Sequence, residues 1–219
     1  MLLAEQLALV AVKPDTGRHA RGGRDRLNAC LAGLLVAELM LDGAARPGEG
    51  KDQVVPTDAR PSTSTTLAAA AQVTGEKGLK LRKVLEHMSR GIDSRLGHGT
   101  WHSVVFGLAN VGILGPARGG VRSKNDVANH GARDEVIARL RSTAASDRVM
   151  EPRTALVLNM TGPASLLEVV APDRSTRKHA RTRIDHALDS TDFESVGRIV
   201  RWILSDAQAA SAAGRAAGG

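Results

Sequence analysis

The chain has 219 residues and a mass of 23.0 kDa, room for one large domain or, at the limit, two small ones. Hydrophobic residues make up 42% and charged residues 24%, which suffices for a sizeable core, yet aromatic residues are 2% and tyrosine is absent, which argues against a base-stacking platform or an aromatic sugar-binding cleft. The formal charge is +7 and the isoelectric point about 10.3, and arginine supplies 23 of the 30 cations.

Taken in chain order, Leu2 to Val12 is an apolar helix stopped by the turn residues Pro14-Asp15-Thr16-Gly17. Glu5 interrupts that apolar start and no basic region precedes it, so it is a poor signal peptide. A basic loop with Arg18, Arg21, Arg24 and Arg26 follows. Asp25 is placed to cap the next helix, which runs to Gly43 and is apolar on most faces, as a central core helix is. Glu38 breaks this longest apolar run well short of the ~20 residues of a membrane span. The single cysteine, Cys30, lies within it; one cysteine excludes an internal disulfide and a multi-cysteine metal site.

Residues 43–64 are rich in Gly and Pro, with Gln53-Val54-Val55 as strand, predicting an exposed hairpin or loop. Helices are predicted over Thr65–Val73 and Leu79–Arg90, the second with an inward stripe of Leu81, Val84, Leu85 and Met88. Asp93 caps a predicted helix from Ser94 to Val111, with Trp101, Val104, Val105, Phe106 and Leu108 as core residues, and a hairpin follows around Pro116 to Val121. Further helices are expected at Asp134–Ser142, Thr154–Met160, Ala164–Val170 and Arg174–Leu188. Thr191-Asp192-Phe193-Glu194 is a capping box for a last helix reaching Ala210. The sequence therefore predicts a mainly α fold: one helical domain over 1–210 with one or two small β-hairpins, and a disordered tail over 211–219.

No serine sits in a nucleophile elbow, and no phosphate-cradling glycine loop is present, so an enzyme is not expected, nor a cofactor. His98 and His102 stand four apart on the predicted helix, the spacing of two metal ligands, but Gly99 replaces the general-base glutamate and no third ligand is marked. Two partly exposed histidines are the reading, with no metal. Anion binding has better candidates, because the planar fork of arginine suits phosphate, although a GC-rich coding bias also yields such a composition. Arg174, Arg177, Lys178 and Arg181 follow i, i+3, i+4, i+7 spacing and form a basic surface stripe. The basic loop, through Arg21 and Arg24, forms a second cluster if the fold brings it beside Arg95, His98 and His102. A winged-helix outline (79–91, 94–111, then the Gly-rich hairpin) is a third reading, but the helix that would enter the major groove is apolar, which argues against nucleic acid.

The ordered segments LLAEQLALVAVKPDTGR, CLAGLLVAELMLDG, VLEHMSRGIDSRL, ANVGILGP, EPRTALVLNMTGPASLLEVVAPDRSTRKHARTRIDHAL and VGRIVRWILSDAQAA resemble the Golgi phosphoprotein 3 family, in its bacterial, actinobacterial-type branch, over about Leu2 to Ala210. The resemblance implies a mostly helical, non-enzymatic domain. Its eukaryotic members are peripheral membrane proteins that bind phosphatidylinositol 4-phosphate and recruit coatomer and glycosyltransferases. It also implies self-association through the hairpin at 43–61. The chain opens at the domain without a basic arm, so coatomer binding is not expected. At the family's lipid-contact positions stand Gly22 or Gly23 for a tryptophan, Ala32 for an arginine, and His98 and Trp101 for two basic residues. None keeps its type, and Arg21, Arg24, Arg95, His98, Trp101 and His102 are the candidates that would hold a headgroup instead. The expected function is a cytoplasmic, non-catalytic module that meets anionic phospholipid, phosphatidylinositol 4-phosphate by resemblance, at the inner face of a membrane. The alternative is an intracellular adaptor or scaffold with protein clients and no lipid specificity.

Overall fold

The computed structural model describes residues 1–13, 24–49, 52–61, 64–74, 79–90, 92, 99–115, 129–189, 193, 195–198, 200, 201 and 205. The architecture is mainly helical with a small antiparallel sheet. Helix α1 (Leu3–Ala11) is buried almost throughout, and Glu5 Oε2 closes its start by accepting the Leu2 N–H at 2.8 Å. Helix α2 (Arg24–Leu41) is the central element, buried from Leu27 through Leu39. It touches α1, α3 (Thr65–Thr74), α4 (Leu81–Arg90), α5 (Thr100–Asn110) and α7 (Pro152–Thr161). Its apolar residues on all faces thus have partners on all sides, as the sequence implies.

Strands β1 (Ala45–Pro47) and β2 (Gln53–Pro56) form a hairpin, one of the two alternatives the sequence leaves for this segment, with Ala45 opposite Pro56. Leu79–Lys80, read from sequence as the first turn of α4, is instead a strand, β3, paired with β2. The reason is local: the Leu81 N–H donates to the Asp52 carbonyl at 2.6 Å, so the chain leaves the sheet before it coils. Within α4 the predicted stripe Leu81, Val84, Leu85 and Met88 is buried in full.

Five other expectations are corrected. Asp25 is no cap but lies in the first turn of α2, where a carboxylate complements the helix dipole. The helix predicted from Ser94 begins at Thr100, because Gly99, at φ 94°, holds a backbone conformation no helix residue adopts and brings the α5 start onto the Asn28 side chain. Phe106, read as core, is 46% exposed. Helix α6 (His130–Ala145) outruns its predicted span at both ends, while the turn at Gly162–Ser165 delays α8 to Leu167–Val170. Asp93, the 116–121 hairpin, the Thr191, Asp192 and Glu194 positions of the capping box and the 211–219 tail lie outside the described residues.

Helix α9 (Arg174–Leu188) matches its predicted span and packs on α6 and α7. Asp173 caps it, accepting from the Thr176 N–H at 2.7 Å and from the Ser175 and Thr176 hydroxyls, which holds its carboxyl below the usual carboxylate range. Helical residues resume at 195–198, 200, 201 and 205, where Val196 and Val200 pack on α2 at Gly33.

Several arginines are internal staples. Arg133 donates to the Val12 carbonyl at 3.0 Å, Arg141 to that of Val169 at 2.9 Å and Arg183 to that of Thr143 at 2.8 Å. Arg139 reaches the buried Gln6 amide at 2.7 Å. Part of the arginine excess thus satisfies carbonyls that α1, α6 and α8 leave open. No helix among the described residues is long and apolar enough to cross a membrane.

Candidate functional site

The first turns of α2 and α5 lie side by side. Asn28, one turn into α2, accepts the Trp101 N–H through Oδ1 at 2.9 Å and so fixes the start of α5. Beside it Arg24 reaches across to α5: its Nη2 lies 2.9 Å from Nδ1 and 2.7 Å from Nε2 of His102. These residues are 78 positions apart in the chain, and no spacing rule joins them. The fold does, because Gly99 can turn α5 against α2.

Two helix starts converge here, and each carries a partial positive charge, while at α5 the Trp101 N–H is taken by Asn28 and the His102 N–H by the Gly99 carbonyl. The arginine adds a full charge. The place therefore suits an anion by charge. Arg21, Arg95 and His98 lie outside the described residues. Trp101 belongs to the site in another sense than predicted: it is 5% exposed, so its indole packs in the core and its backbone shapes the junction. Phe106 stands one helical turn beyond His102 on the same side of α5, exposed. No aromatic residue was assigned to that face from sequence. An i, i+4 pairing with His102 is the signal that could have found it.

In the sequence Arg24 and Arg26 are neighbours in one basic loop. Both sit in the first turn of α2, and residues two apart on a helix point to different sides. Arg24 goes to α5, whereas Arg26 turns toward a cleft bordered by α7 and α9.

The basic stripe on α9 is only partly available. Arg177 donates to the carbonyls of Ala171 at 3.1 Å and Pro172 at 2.6 Å, and so braces the turn before the helix. Arg174 and Lys178 are exposed, and Arg181 borders the same cleft as Arg26. The four cations share a face, but they do not share a role.

Cys30 is fully buried in α2, where desolvation pushes its thiol up to about 12, which makes it an inert packing group.

No curated protein matches the chain. A family model described as Golgi phosphoprotein 3 matches residues 3–212, which includes every element of the fold and both helices of the Arg24–His102 junction. On that match the chain belongs to the Golgi phosphoprotein 3 family.

Proposed function

We propose that this protein is a non-catalytic module that docks on anionic membrane surfaces and holds a phosphate-bearing headgroup, phosphatidylinositol 4-phosphate in the first instance, at the α2–α5 junction. The observation that carries the reading is the approach of Arg24 to His102 beside two helix N-termini. The family's own basic residues would fall at positions 32, 98 and 101, where this chain has Ala32, His98 and Trp101. Arg24 brings a cation to the same junction from the start of α2 rather than from its middle. The exposed Phe106 supplies an apolar group at the edge of the site, suited to the interfacial layer of a bilayer.

The test is vesicle flotation over a salt series, comparing phosphatidylinositol 4-phosphate, phosphatidylserine at matched surface charge, and neutral lipid. Preference for the phosphoinositide should persist near physiological salt, and Arg24→Ala should weaken it about tenfold or more, the size of one charge-assisted hydrogen bond. Equal binding to both anionic vesicles, lost with salt, would reduce the function to adsorption. Absence of binding to any vesicle would leave the protein-binding adaptor, whose affinity for an apolar partner surface resists salt.

A further inference from the structure

The cleft that Arg26 enters has a volume of about 570 Å³ and lies on a different side of α2 from the Arg24–His102 junction. We propose that it is a second, separate binding site, for a phosphate monoester carried on an apolar body. This inference does not rest on the membrane reading.

Three arginines from three elements border the cleft: Arg26 from α2, Arg181 from α9, and Arg201 from the C-terminal helical residues. Arg201 is oriented, its Nη1 donating to the Asn159 Oδ1 at 3.0 Å, which leaves the rest of its guanidinium for a ligand. Gly197 makes this possible, because a Cβ there would run into the Asn159 amide. Among the described residues Arg26 and Arg181 make no hydrogen bond or ion pair of their own.

Among the described residues Asp185 is the one carboxylate on the lining, against three arginines. A phosphate monoester carries about −1.5 to −2 at neutral pH and presents three acceptor oxygens to such donors. A carboxylate or a phosphodiester supplies only half that charge. Leu158, Pro163, Leu167 and Ile184 add apolar groups to the lining. The volume falls within the range of small-molecule sites, roughly 300–1,000 Å³, and exceeds what inorganic phosphate alone would fill.

The experiment is calorimetric titration of the full chain with 1-naphthyl phosphate, with inorganic phosphate and naphthalene-1-sulfonate as controls. The naphthyl ester should bind saturably, one molecule per chain, and more tightly than either control. Its affinity should fall as pH drops through its second ionisation near 6. Arg26→Gln and Arg181→Gln should each weaken it about tenfold to a hundredfold, with the melting midpoint of the free protein unchanged, and the double variant should abolish it. Arg24→Ala should have no effect on it. Phosphatidylinositol 4-phosphate vesicles then identify the source: competition with the ester assigns a lipid-borne phosphate to the cleft, and its absence with retained ester binding assigns a soluble one. Unsaturable binding, equal affinity for the sulfonate, or full affinity in the folded double variant would overturn the proposal.

Discussion

Glu38 and Arg153 meet at 2.6 Å between α2 and α7, with the carboxylate 4% exposed and the guanidinium 36%. The second oxygen, Oε2, accepts the Leu3 N–H at 2.8 Å, one of the donors that the start of α1 leaves open. A single buried carboxylate thus ties three helices together. The residue that breaks the longest apolar run in the sequence is the one polar group that run has to contain.

Removing the cation should cost more than removing the charge. Arg153→Met leaves Glu38 buried beside a lone N–H, and we expect a loss of about 2–4 kcal/mol, the lower part of the range for a broken buried pair because Arg153 is partly solvated. Glu38→Gln keeps an acceptor for Leu3 and should lose only about 1 kcal/mol. Urea unfolding at neutral pH measures both. A smaller loss for Arg153→Met than for Glu38→Gln would show that the pair does not organise the junction.

Gly33 sets how closely α2 approaches the C-terminal helical residues. A Cβ there would stand 2.8 Å from Val200 Cγ2 and 3.4 Å from both Met160 Cε and Val196 Cγ1. All three neighbours are fully buried. Gly33→Ala should therefore destabilise by about 1–3 kcal/mol, the usual cost of overpacking, despite the better helix propensity of alanine. Thermal unfolding of the variant checks it, and a raised midpoint would mean that Val200 can swing away.

Much of this packing is legible in the sequence, and the exceptions share a cause. The stripe on α4 and the span of α9 follow from periodicity and helix-end residues, which are local properties, whereas residues 43–64 read equally as a hairpin or a loop. Phe106 reads as core because an apolar residue on an apolar helix is assigned to the core by default, whereas on α5 it is 46% exposed. Glu38 was seen as an interruption because its partners, Leu3 and Arg153, are 35 and 115 positions away. Arg24 and Arg26 were grouped because they adjoin in sequence, and only the start of α2 separates them. The missed residues of the candidate sites, Asn159 and Arg201, carry no spacing signal, since their meeting depends on how two distant helices cross.

Glu5 should make stability depend on pH in the direction opposite to a salt-bridged acid. Burial holds its carboxyl above the ordinary 4.5, with the charge of Glu38 adding, while the bond from the Leu2 N–H and the chain's amino terminus oppose. The folded state then binds the proton more tightly than the unfolded state, so stability falls as pH rises from 4.5 through the raised value. Glu5→Gln retains an oxygen for Leu2 and removes that dependence. Its melting midpoint should exceed that of the parent at neutral pH and converge with it in acid below the ordinary glutamate range. A variant that melts lower than the parent at neutral pH would show that the charged form is the stabilising one.

Phe106 separates a membrane-facing surface from one that is merely exposed. Its ring is 46% exposed and near the Arg24–His102 pair, so transfer to a bilayer interface would remove about half a phenyl surface from water, roughly 1 kcal/mol. Phe106→Ser should leave the stability of the free protein within about 0.5 kcal/mol and weaken vesicle binding about fivefold. The loss should persist at high salt, because apolar insertion is not screened, whereas the loss from Arg24→Ala should shrink as salt rises. The two variants combined should then add, one acting on each physical term. If Phe106→Ser changes nothing at any salt while Arg24→Ala still weakens binding, the protein rests on headgroups alone and the ring lies outside the contact.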